Sequence, residues 1–589
     1  MEINRIFDIL QHNKENYDPE KEVFASKINS EWKRYNIQEY IDISNNISYG
    51  LLAMGVKKGD KIAIISSNCP EWNFVDMALM QIGAIPVPIY PNISESDYEY
   101  IFNHSEISIL FSEGEELLLK IGHILPKISF IKHIFTFSIH DGFRNLEQLI
   151  QLGKENKNAK LLEEIKASIK INDLATIVYT SGTTGNQKGV MLSHANIISN
   201  LIAVSYISPV QSGEKAISFL PLCHAYERIL NYMYQYLGIS TYYAESIATI
   251  AENIKEIKPS IFSTVPRLME KIYDKIIDTG RKQKWFKRQI FFWAVNLGHT
   301  YELDNKNGWF YNIQHLIVNK LVFSKWREAL GGNVKVMVSG GASLQPRLAR
   351  VYAAANIPIL EGYGLTETSP VISVNTFFKN GRKYGTVGQP LPNVSIKIAT
   401  DGEILCKGAN VMMGYYKEPT LTKEVIDEDG WFHTGDTGII EPKGQLRLIG
   451  RKKSIFKTSN GKYVNPEQIE AKFKESSFID NIVVIGENQK FVAALIVPDF
   501  NHLKSWCAIK DIHYSNNEEM AKTTIISNRI QKEVDKYNKY FGETEKIKKY
   551  EIINFEWTVH TGELTPTLKL KRNFIYEKYK ENIERIFMI

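Results

Sequence analysis

The chain has 589 residues, 44% of them hydrophobic and 23% charged, with 71 Lys and Arg against 66 Asp and Glu. These proportions exclude wholesale disorder, and a net charge of only +5 gives no basic face of the kind that binds nucleic acid. The four cysteines are scattered without a CxxC pair, so neither a disulfide framework nor a zinc knuckle is expected. No apolar run reaches the roughly 18 residues of a transmembrane helix, and the charged N-terminus is not typical of a signal peptide. We therefore expect a large soluble, cytoplasmic protein, most often an enzyme.

In chain order, short β-branched runs alternate with longer amphipathic stretches, which predicts an α/β architecture. Buried strands are predicted at residues 61–65, 176–179, 335–338 and 357–360. Each of the last three runs directly into a loop rich in Gly, Ser or Thr. Because ligands of open α/β sheets bind at the carboxyl ends of the strands, these three loops are the predicted ligand site.

Helices are predicted at residues 285–302 and 315–330, where apolar residues recur at helical spacing. After about residue 385 the pattern becomes β-rich, with a strand at 402–408 and a hairpin formed by 482–485 and 491–497. The run Asn465-Pro466-Glu467 is typical of a helix start, with a cap, a proline at the first position and an early acid. We place a domain boundary between residues 1–449 and 450–589.

The strongest local signal is the segment from Tyr179 to His194, YTSGTTGNQKGVMLSH, which follows a predicted strand. Its glycines let backbone N–H groups converge on one point, and its hydroxyls and lysine add further donors for an anion. The chemistry fits a polyphosphate, although Lys188 precedes Gly189 and the loop is therefore not a Walker A motif. The candidate phosphate-binding residues are Thr180, Ser181, Gly182, Thr183, Thr184, Gly185 and Lys188.

This loop resembles the signature of the AMP-forming, adenylate-forming enzymes, which include acyl-CoA synthetases, luciferases and the adenylation domains of peptide synthetases. Gln187 departs from the family pattern, which has a proline before the loop lysine. The resemblance implies a large N-terminal domain of layered α/β sheets with a β-rich subdomain, followed by a small, mobile α+β C-terminal domain. It also implies ATP and Mg²⁺ as cofactors.

Further motifs resemble the nucleotide-binding segments of the same family. Tyr363 would stack on adenine, Thr366 would contact the α-phosphate, and Glu367 would hold Mg²⁺ together with Thr184; a hard oxygen ligand beside phosphates suits that ion. Asp436 would accept both ribose hydroxyls and Arg451 would contact the ribose. The remaining residues of the adenine-side motifs are Gly340, Gly341, Ala342, Glu361, Gly362 and Gly364.

The C-terminal segment resembles the family's mobile domain, with a hinge at Lys453 and with Lys457 facing the thioester-forming site. Its terminal motif selects Lys569, rather than Lys571, as the lysine that stabilises charge during adenylation, although Leu568 replaces the usual glycine. The resemblance implies two half-reactions: a carboxylate attacks ATP to give acyl-AMP, and after a domain rotation the CoA thiol displaces AMP.

Residues 219–228, FLPLCHAYER, and the VPRL segment from Val265 resemble long-chain acyl-CoA synthetases, and His224 would lie beside the acyl carboxylate. The aromatic-rich insertion at 266–331 either lines an alkyl-chain tunnel or belongs to the ordinary core. Five cations lie within residues 281–288: Arg281, Lys282, Lys284, Lys287 and Arg288. They form a solvated helix face, or lie near the CoA phosphates or an anionic membrane surface.

We therefore predict a long-chain fatty acid–CoA ligase, with peripheral association at the inner face of the membrane and no nucleic-acid partner. The alternatives are an acyl-AMP ligase that loads a carrier protein, a medium-chain or aryl acid–CoA ligase, and a non-catalytic acyl or nucleotide sensor on the same fold. The sequence does not predict the oligomeric state or the preferred chain length.

Overall fold

The computed structural model describes residues 3–180, 187–246, 248–452, 454–459, 461–565 and 569–588. These residues form two compact units. Unit 1 comprises Met1–Lys397, Leu405–Thr434 and Ile440–Arg447, and unit 2 comprises Ile398–Ile404, Gly435–Ile439 and Leu448–Ile589.

The β-strands are distributed along the whole described chain. They are β1 Glu22–Ile28, β2 Glu31–Asn36, β3 Lys61–Ile65, β4 Ile85–Ile89, β5 Ile109–Ser112, β6 His133–Thr136, β7 Arg144–Asn145, β8 Leu174–Thr180, β9 Lys188–Ser193, β10 Lys215–Ser218, β11 Ser240–Tyr243, β12 Ile261–Thr264, β13 Val336–Ser339, β14 Ile359–Gly364, β15 Val371–Val374, β16 Gln389–Pro390, β17 Val394–Ile398, β18 Glu403–Gly408, β19 Gly414–Tyr415, β20 Phe432–Ile440, β21 Leu446–Arg451, β22 Phe456–Lys457, β23 Tyr463–Val464, β24 Ile479–Ile485, β25 Val492–Pro498 and β26 Ile547–Ile552.

Most α-helices follow or precede a strand, as an α/β architecture requires. They are α1 Asp8–Asn16, α2 Ile37–Ala53, α3 Pro70–Gln81, α4 Glu95–Ser105, α5 Glu115–Ile121, α6 Leu146–Glu155, α7 Ala159–Ser168, α8 His194–Tyr206, α9 Ala225–Tyr236, α10 Ile250–Ile257, α11 Pro266–Arg281, α12 Trp285–His299, α13 Trp309–Val318, α14 Ser324–Ala329, α15 Pro346–Ala354, α16 Pro419–Val425, α17 Pro466–Phe473, α18 Phe500–Ile509, α19 Asn517–Lys522, α20 Thr524–Asn538, α21 Arg572–Lys578 and α22 Lys580–Phe587. Two 3₁₀ turns lie at Leu125–Lys127 and Thr366–Thr368, and a π-helical turn at Asn319–Phe323.

The largest sheet of unit 1 has nine strands in the order β16-β15-β14-β13-β12-β10-β11-β1-β2. Its six central strands, from β14 to β1, run parallel to one another. The strands β2, β15 and β16 at its two edges are antiparallel to their neighbours. Apolar side chains on the central strands are buried, in keeping with a parallel sheet covered on both faces.

A second parallel sheet of unit 1 has the order β4-β3-β5-β6-β7. The predicted strand at 61–65 is confirmed as β3, and its side chains from Ile62 to Ile65 are buried. The strand predicted at 176–179 exists as β8, but it does not join a parallel sheet: it pairs antiparallel with β9, which in turn pairs with β19. The glycine-rich segment therefore lies between the two strands of a hairpin.

A four-stranded sheet has the order β17-β18-β20-β21. Unit 2 also has a sheet of order β24-β25-β26, in which the predicted hairpin is confirmed as the antiparallel pair β24 and β25. The predicted helix start is confirmed at α17, where the Asn465 side chain accepts a hydrogen bond from the N–H of Glu467. An apolar core of its own, including Val484, Leu495 and Ile530, makes unit 2 an α+β body.

The prediction for residues 315–330 is wrong in its boundaries. The helix begins six residues earlier, at Trp309 in α13, and the π-helical turn separates it from α14. Gly308, with φ 81°, immediately precedes this start. Among the described residues, no helix has the length and apolar character needed to cross a membrane.

Candidate active site

Two of the three predicted loops leave neighbouring parallel strands at the same edge of the nine-stranded sheet. Ser339, the last residue of β13, lies opposite Glu361 of β14. Beyond β13, Gly341 has φ 82°, a left-handed conformation that favours glycine. A Cβ atom on Gly340 would lie 3.1 Å from the ring of Tyr226, so only glycine lets the backbone pass this ring without displacing it. The backbone conformation at Gly341 and the ring beside Gly340 thus both favour glycine in this segment.

Glu361, Gly362, Tyr363 and Gly364, which the sequence places in a loop, instead belong to β14. Strand β15 turns back beside them, and Gly362 and Tyr363 pair with residues of that strand. A Cβ atom on Gly364 would lie 1.8 Å from the carbonyl oxygen of Pro370, which requires glycine there. Burial raises the pKa of the Glu361 carboxyl to about 8. The segment is therefore a rigid strand with an acid that favours its neutral form.

Glu367 lies in the 3₁₀ turn after β14 and is half-buried. Its Oε1 atom accepts a hydrogen bond from the hydroxyl of Tyr415 at 2.8 Å, and its carbonyl oxygen accepts one from the N–H of Met412. The Nζ atom of Lys188 lies 5.2 Å from the centre of the Tyr415 ring, a cation–π distance. Tyr415 thus connects the loop lysine to the candidate metal ligand, and Thr366 is buried next to that ligand.

Glu367 fits a magnesium ligand, because a half-buried carboxylate already oriented by a hydroxyl is a hard oxygen donor. No cluster of three or more His, Cys, Asp or Glu side chains suited to a metal occurs among the described residues. A single protein carboxylate agrees with the way Mg²⁺ is usually held beside substrate phosphates. Thr184, the other predicted ligand, lies outside the described residues.

The predicted phosphate loop is described only at its two ends. Thr180 ends β8, Lys188 begins β9, and the two residues are register partners in the hairpin. Behind them, the hydroxyl of Tyr179 lies 2.7 Å from Nδ1 of His104. Ser181, Gly182, Thr183, Thr184 and Gly185 lie outside the described residues.

His224 caps the N-terminus of α9, and its Nδ1 atom accepts a hydrogen bond from the N–H of Tyr226 at 3.2 Å. An accepting Nδ1 assigns the ring proton of neutral His224 to Nε2. The ring is half-buried and packs edge-on against Tyr90. The histidine is therefore held in one orientation at the start of the helix.

Two further residues of the same motif, Glu227 and Arg228, are buried. Arg228 forms a buried ion pair with Asp76 of α3 at 2.5 Å and donates a second hydrogen bond to the hydroxyl of Thr176 in β8. Glu227 accepts hydrogen bonds from Ser218 and from Ser263, and burial raises its pKa to about 7. Arg228 therefore ties α9 to both α3 and β8.

In unit 2 the two residues predicted to contact ribose lie together. Nε of Arg451 is 3.2 Å from Oδ1 of Asp436. Beside them, the buried carboxylate of Glu403 accepts a hydrogen bond from the N–H of Gly435 at 2.9 Å. The same carboxylate forms an ion pair with Lys452, also at 2.9 Å. The segment that carries Asp436 is thereby fixed to β18 and to the residue after Arg451.

Lys569 is exposed and lies at the end of a short hairpin in unit 2. Its N–H donates to the hydroxyl of Thr565 at 3.0 Å, and the N–H of Thr565 donates to the carbonyl of Lys569 at 2.8 Å. Arg572 anchors the hairpin through two hydrogen bonds, of 2.9 and 2.5 Å, to the carboxylate of Glu470. Glu470 raises the pKa of the Arg572 guanidinium against the opposing effect of burial.

Lys457 is also exposed; it lies in β22, and its Nζ atom is 5.6 Å from the ring centre of Tyr463. Lys453, the predicted hinge, lies outside the described residues.

Sequence reasoning missed Tyr415, Glu403 and Glu470. Each contacts a residue of a predicted motif or its neighbour that is far away in the sequence. Tyr415 lies 48 positions from Glu367, Glu403 lies 49 from Lys452, and Glu470 lies 102 from Arg572. Only Glu403 carried a local signal, since it follows Gly402 at the start of a predicted strand. The other two have no motif of their own.

The tunnel interpretation of the aromatic insertion is wrong for three of its residues. Trp285, Phe286 and Phe310 are 67%, 68% and 64% exposed. The core interpretation holds for Trp326, which is buried, while Phe291 and Trp293 pack against the same core. The five cations from Arg281 to Arg288 are exposed.

Two family profiles match the chain. The AMP-binding enzyme family covers residues 10–416, and the C-terminal domain of AMP-binding enzymes covers residues 453–588. The first match alone covers more than half of the chain.

The chain belongs to the AMP-binding enzyme family.

Curated relatives of this AMP-binding enzyme extend over nearly its whole length. It is 31% identical to the long-chain-fatty-acid–CoA ligase FadD15 of Mycobacterium bovis, over 98% of the chain and 96% of that protein. It is 33% identical to the fatty acyl-CoA synthetase A of Dictyostelium discoideum, over 99% of the chain and 90% of that protein. The adenylation domain of a carboxylic acid reductase from Segniliparus rugosus, solved with AMP and a co-purified carboxylic acid, has the same fold, with a TM-score of 0.76 at 19% identity over 99% of this chain and 94% of that one.

Proposed function

We propose that this AMP-binding enzyme is a long-chain fatty acid–CoA ligase that forms acyl-AMP and pyrophosphate from a fatty acid and ATP, and then transfers the acyl group to CoA with release of AMP. The observation that carries the proposal is the similarity to ligases named for long-chain fatty acids, which extends over 98% of the chain. Because the similarity includes both family domains, both half-reactions are included in the proposal.

The first half-reaction needs cations and donors around the phosphates. Lys188 enters β9 from the glycine-rich segment and is available to the phosphates that the segment would bind. Thr366 and Lys569 are the groups we assign to the charge that develops on the α-phosphate. Glu367, with Thr184, would hold Mg²⁺, which supplies charge neutralisation for the phosphate oxygens when bound.

The nucleoside part of ATP has a proposed set of contacts in each unit. In unit 1, the backbone from Gly340 to Ala342 and the segment from Glu361 to Gly364 supply the adenine surface, with Tyr363 as the stacking ring. In unit 2, Asp436 would accept the ribose hydroxyls, and Arg451 would hold that carboxylate in place and contact the sugar.

The acyl end of the site is assigned to His224. A neutral ring with the proton on Nε2 can donate one hydrogen bond to a carboxylate oxygen. No side-chain nucleophile is required, because the substrate carboxylate is itself the nucleophile. We expect His224 to orient this group rather than to transfer a proton.

For the second half-reaction, we propose that unit 2 is mobile about Lys453, that Lys569 is withdrawn, and that Lys457 then faces the thioester-forming site. The domain limits 1–449 and 450–589 belong to this proposal. The relatives' names are those of CoA ligases and synthetases, so a carrier protein is not favoured as the acceptor.

The test is product analysis with the purified full chain, Mg·ATP and a series of acids from acetate to stearate, with and without CoA. We expect AMP and acyl-CoA to form together and the rate to be highest with long-chain acids. Pyrophosphate release that is indifferent to CoA, or a maximum with an aryl or short-chain acid, would contradict the proposal.

We also propose that the enzyme associates peripherally with a membrane surface, since a long-chain acid partitions into bilayers.

A further inference from the structure

Helix α13 of unit 1 buries Tyr311 and Val318 but also carries large apolar side chains on its exposed side. Its inner side is held by polar contacts: the hydroxyl of Tyr311 donates to the carbonyl of Leu297 at 2.8 Å, and Nε2 of His315 lies 2.7 Å from the carbonyl oxygen of Ala354. The side chain of Trp293 in α12 also donates to that of Gln314 at 3.2 Å. These contacts fix the helix with a defined side turned away from the core.

The side turned away is apolar. Along α13 the exposed large side chains recur at the spacing of one helical face, and the face continues into the following turn. Their exposed fractions range from 46% to 75%. We call this set the outer apolar face: Trp309, Phe310, Ile313, Leu316, Ile317 and Leu321.

The N-terminal end of α12 also carries exposed apolar side chains. The contacts of Leu297 with Tyr311 and of Trp293 with Gln314 show that α12 and α13 run antiparallel. The N-terminal end of α12, with exposed Trp285 and Phe286, is therefore on the side of the π-helical turn that follows α13. The two helices together present aromatic and aliphatic side chains over two successive elements.

Cations outnumber acids in the sequence segments that carry these apolar side chains. The segment 281–288 contains five exposed cations, of which Arg281 is paired with Asp278 at 2.8 Å, and no Asp or Glu occurs between Asp278 and Glu302. From residue 305 to 327 the sequence again has no Asp or Glu but has Lys306, Lys320, Lys325 and Arg327. For a chain with nearly balanced charges overall, this is a strong local excess of one sign.

We infer that the outer apolar face, with Trp285, Phe286 and the basic segment 281–288, is a docking surface for an anionic lipid bilayer. Trp and Phe side chains insert at the boundary between headgroups and acyl chains, and nearby Lys and Arg side chains bind anionic headgroups. We assign a bilayer rather than a protein partner because exposed Trp and Phe side chains and cations occur together over two successive helices, the combination that binds an anionic membrane surface. The use of the surface rests on the proposed function, since the bilayer would be the source of the acid.

The test is co-sedimentation of the full chain with phosphatidylcholine vesicles and with vesicles in which a quarter of the lipid is phosphatidylglycerol. We expect binding to the anionic vesicles, weakened by salt. The charge variant Lys282→Glu/Lys284→Glu/Lys287→Glu should weaken it by about tenfold or more, since each basic residue contributes near an anionic surface. The apolar variant Trp309→Ser/Phe310→Ser/Leu316→Ser should also lose binding.

Matched controls carry equally exposed substitutions elsewhere in unit 1. Leu119→Ser/Ile139→Ser/Tyr206→Ser matches the apolar variant, and Lys154→Glu/Lys157→Glu/Lys160→Glu matches the charge variant. We expect both controls to bind vesicles as the unsubstituted chain does. Equal loss in controls and variants, or equal binding to neutral vesicles, would overturn the inference.

Two further measurements separate this surface from the proposed catalysis and from self-association. AMP release with a short, water-soluble acid should be unchanged in both variants, so a failure of the proposed function would appear there and not in sedimentation. Sedimentation velocity should give the same mass for the unsubstituted chain and the apolar variant. A fall in mass with vesicle binding retained would identify the face as an interface between copies and overturn the lipid assignment.

Discussion

Nε of Arg451 lies 3.2 Å from Oδ1 of Asp436, although the Asp436 side chain is only 11% exposed and that of Arg451 is 49% exposed. A carboxylate removed from water requires such a partner, because an unpaired buried charge is costly. In this ion pair Asp436 is thus largely buried, whereas Arg451 is about half exposed.

If this pair holds the ribose, Asp436→Asn should weaken ATP binding by roughly ten- to a hundredfold, the effect of losing a hydrogen bond to a charged group. Arg451→Gln should weaken it as well, and the double variant should lose less than the sum of the two, because both act on one contact. Calorimetry of ATP binding measures all three. Asp401→Asn, which alters an exposed carboxylate of the same unit paired with Lys452, serves as the control. Unchanged ATP affinity in Asp436→Asn would remove the ribose assignment.

Lys569→Ala should reduce acyl-AMP formation by about 10² to 10³, the usual effect of removing one preorganised contact to developing charge. Thioester formation from supplied acyl-AMP and CoA should be retained, since the lysine is assigned to the first half-reaction alone. Quenched-flow analysis of the two half-reactions gives the answer. Lys571→Ala is a close control, because Lys571 is an exposed lysine next to the same hairpin. Equal loss in both half-reactions would refute the assignment of Lys569 to the first half-reaction alone.

Tyr415→Phe keeps the ring that faces Lys188 but removes the hydroxyl that donates to Glu367. We expect the Mg²⁺ concentration needed for half-maximal AMP release to rise by about tenfold or more, as for other residues that orient a metal ligand. A Mg²⁺ titration at saturating ATP measures this, and far-UV circular dichroism checks the fold. Tyr416→Phe, the neighbouring substitution, should leave the titration unchanged. If both variants titrate like the parent, Tyr415 does not position Glu367.

Glu361 predicts a pH dependence of stability. Burial raises its pKa in the folded chain to about 8, against an ordinary value near 4.3 for an unfolded chain. The folded state therefore binds the proton more tightly, and this contribution is fully present below the unfolded pKa and is lost as the pH rises through 8. Glu361→Gln should remove that loss, so its melting temperature relative to the parent should rise between about pH 5 and 8.5. A pH-independent difference would mean that the carboxyl is solvated in the folded chain.

Much of the fold is predictable because local rules decide it. The strand at Lys61–Ile65 is a short apolar run, and its bounds match the prediction. Asn465 begins α17 as its cap chemistry requires. The segment from Glu361 to Gly364 could not be placed in the same way, because β13 on one side and β15 on the other make it a strand. Tertiary pairing thus overrides a glycine pattern that is typical of a loop.

The candidate site likewise contains residues that the sequence predicts and residues that it does not. Asp436 and Arg451 can be selected from motifs, and the structure brings them together. The acid that buttresses them, Glu403, cannot, because a single Glu after a glycine has many possible uses. The exposed aromatics of α12 and α13 were unpredictable for another reason. Composition reveals how many apolar residues a helix has, but the packing of the rest of the unit decides which side they face.

The buried guanidinium of Arg228 joins parts of the molecule to which we assign different substrates. Its helix begins at His224, on the proposed acyl side, while its hydrogen bond to Thr176 reaches the strand that leads into the phosphate segment. A displacement at either end is therefore transmitted to one shared cation. If the contacts of Arg228 are weakened, the Michaelis constants for fatty acid and for ATP should then change together. Kinetic synergy between the two substrates would arise from a buried residue to which we assign no contact with either.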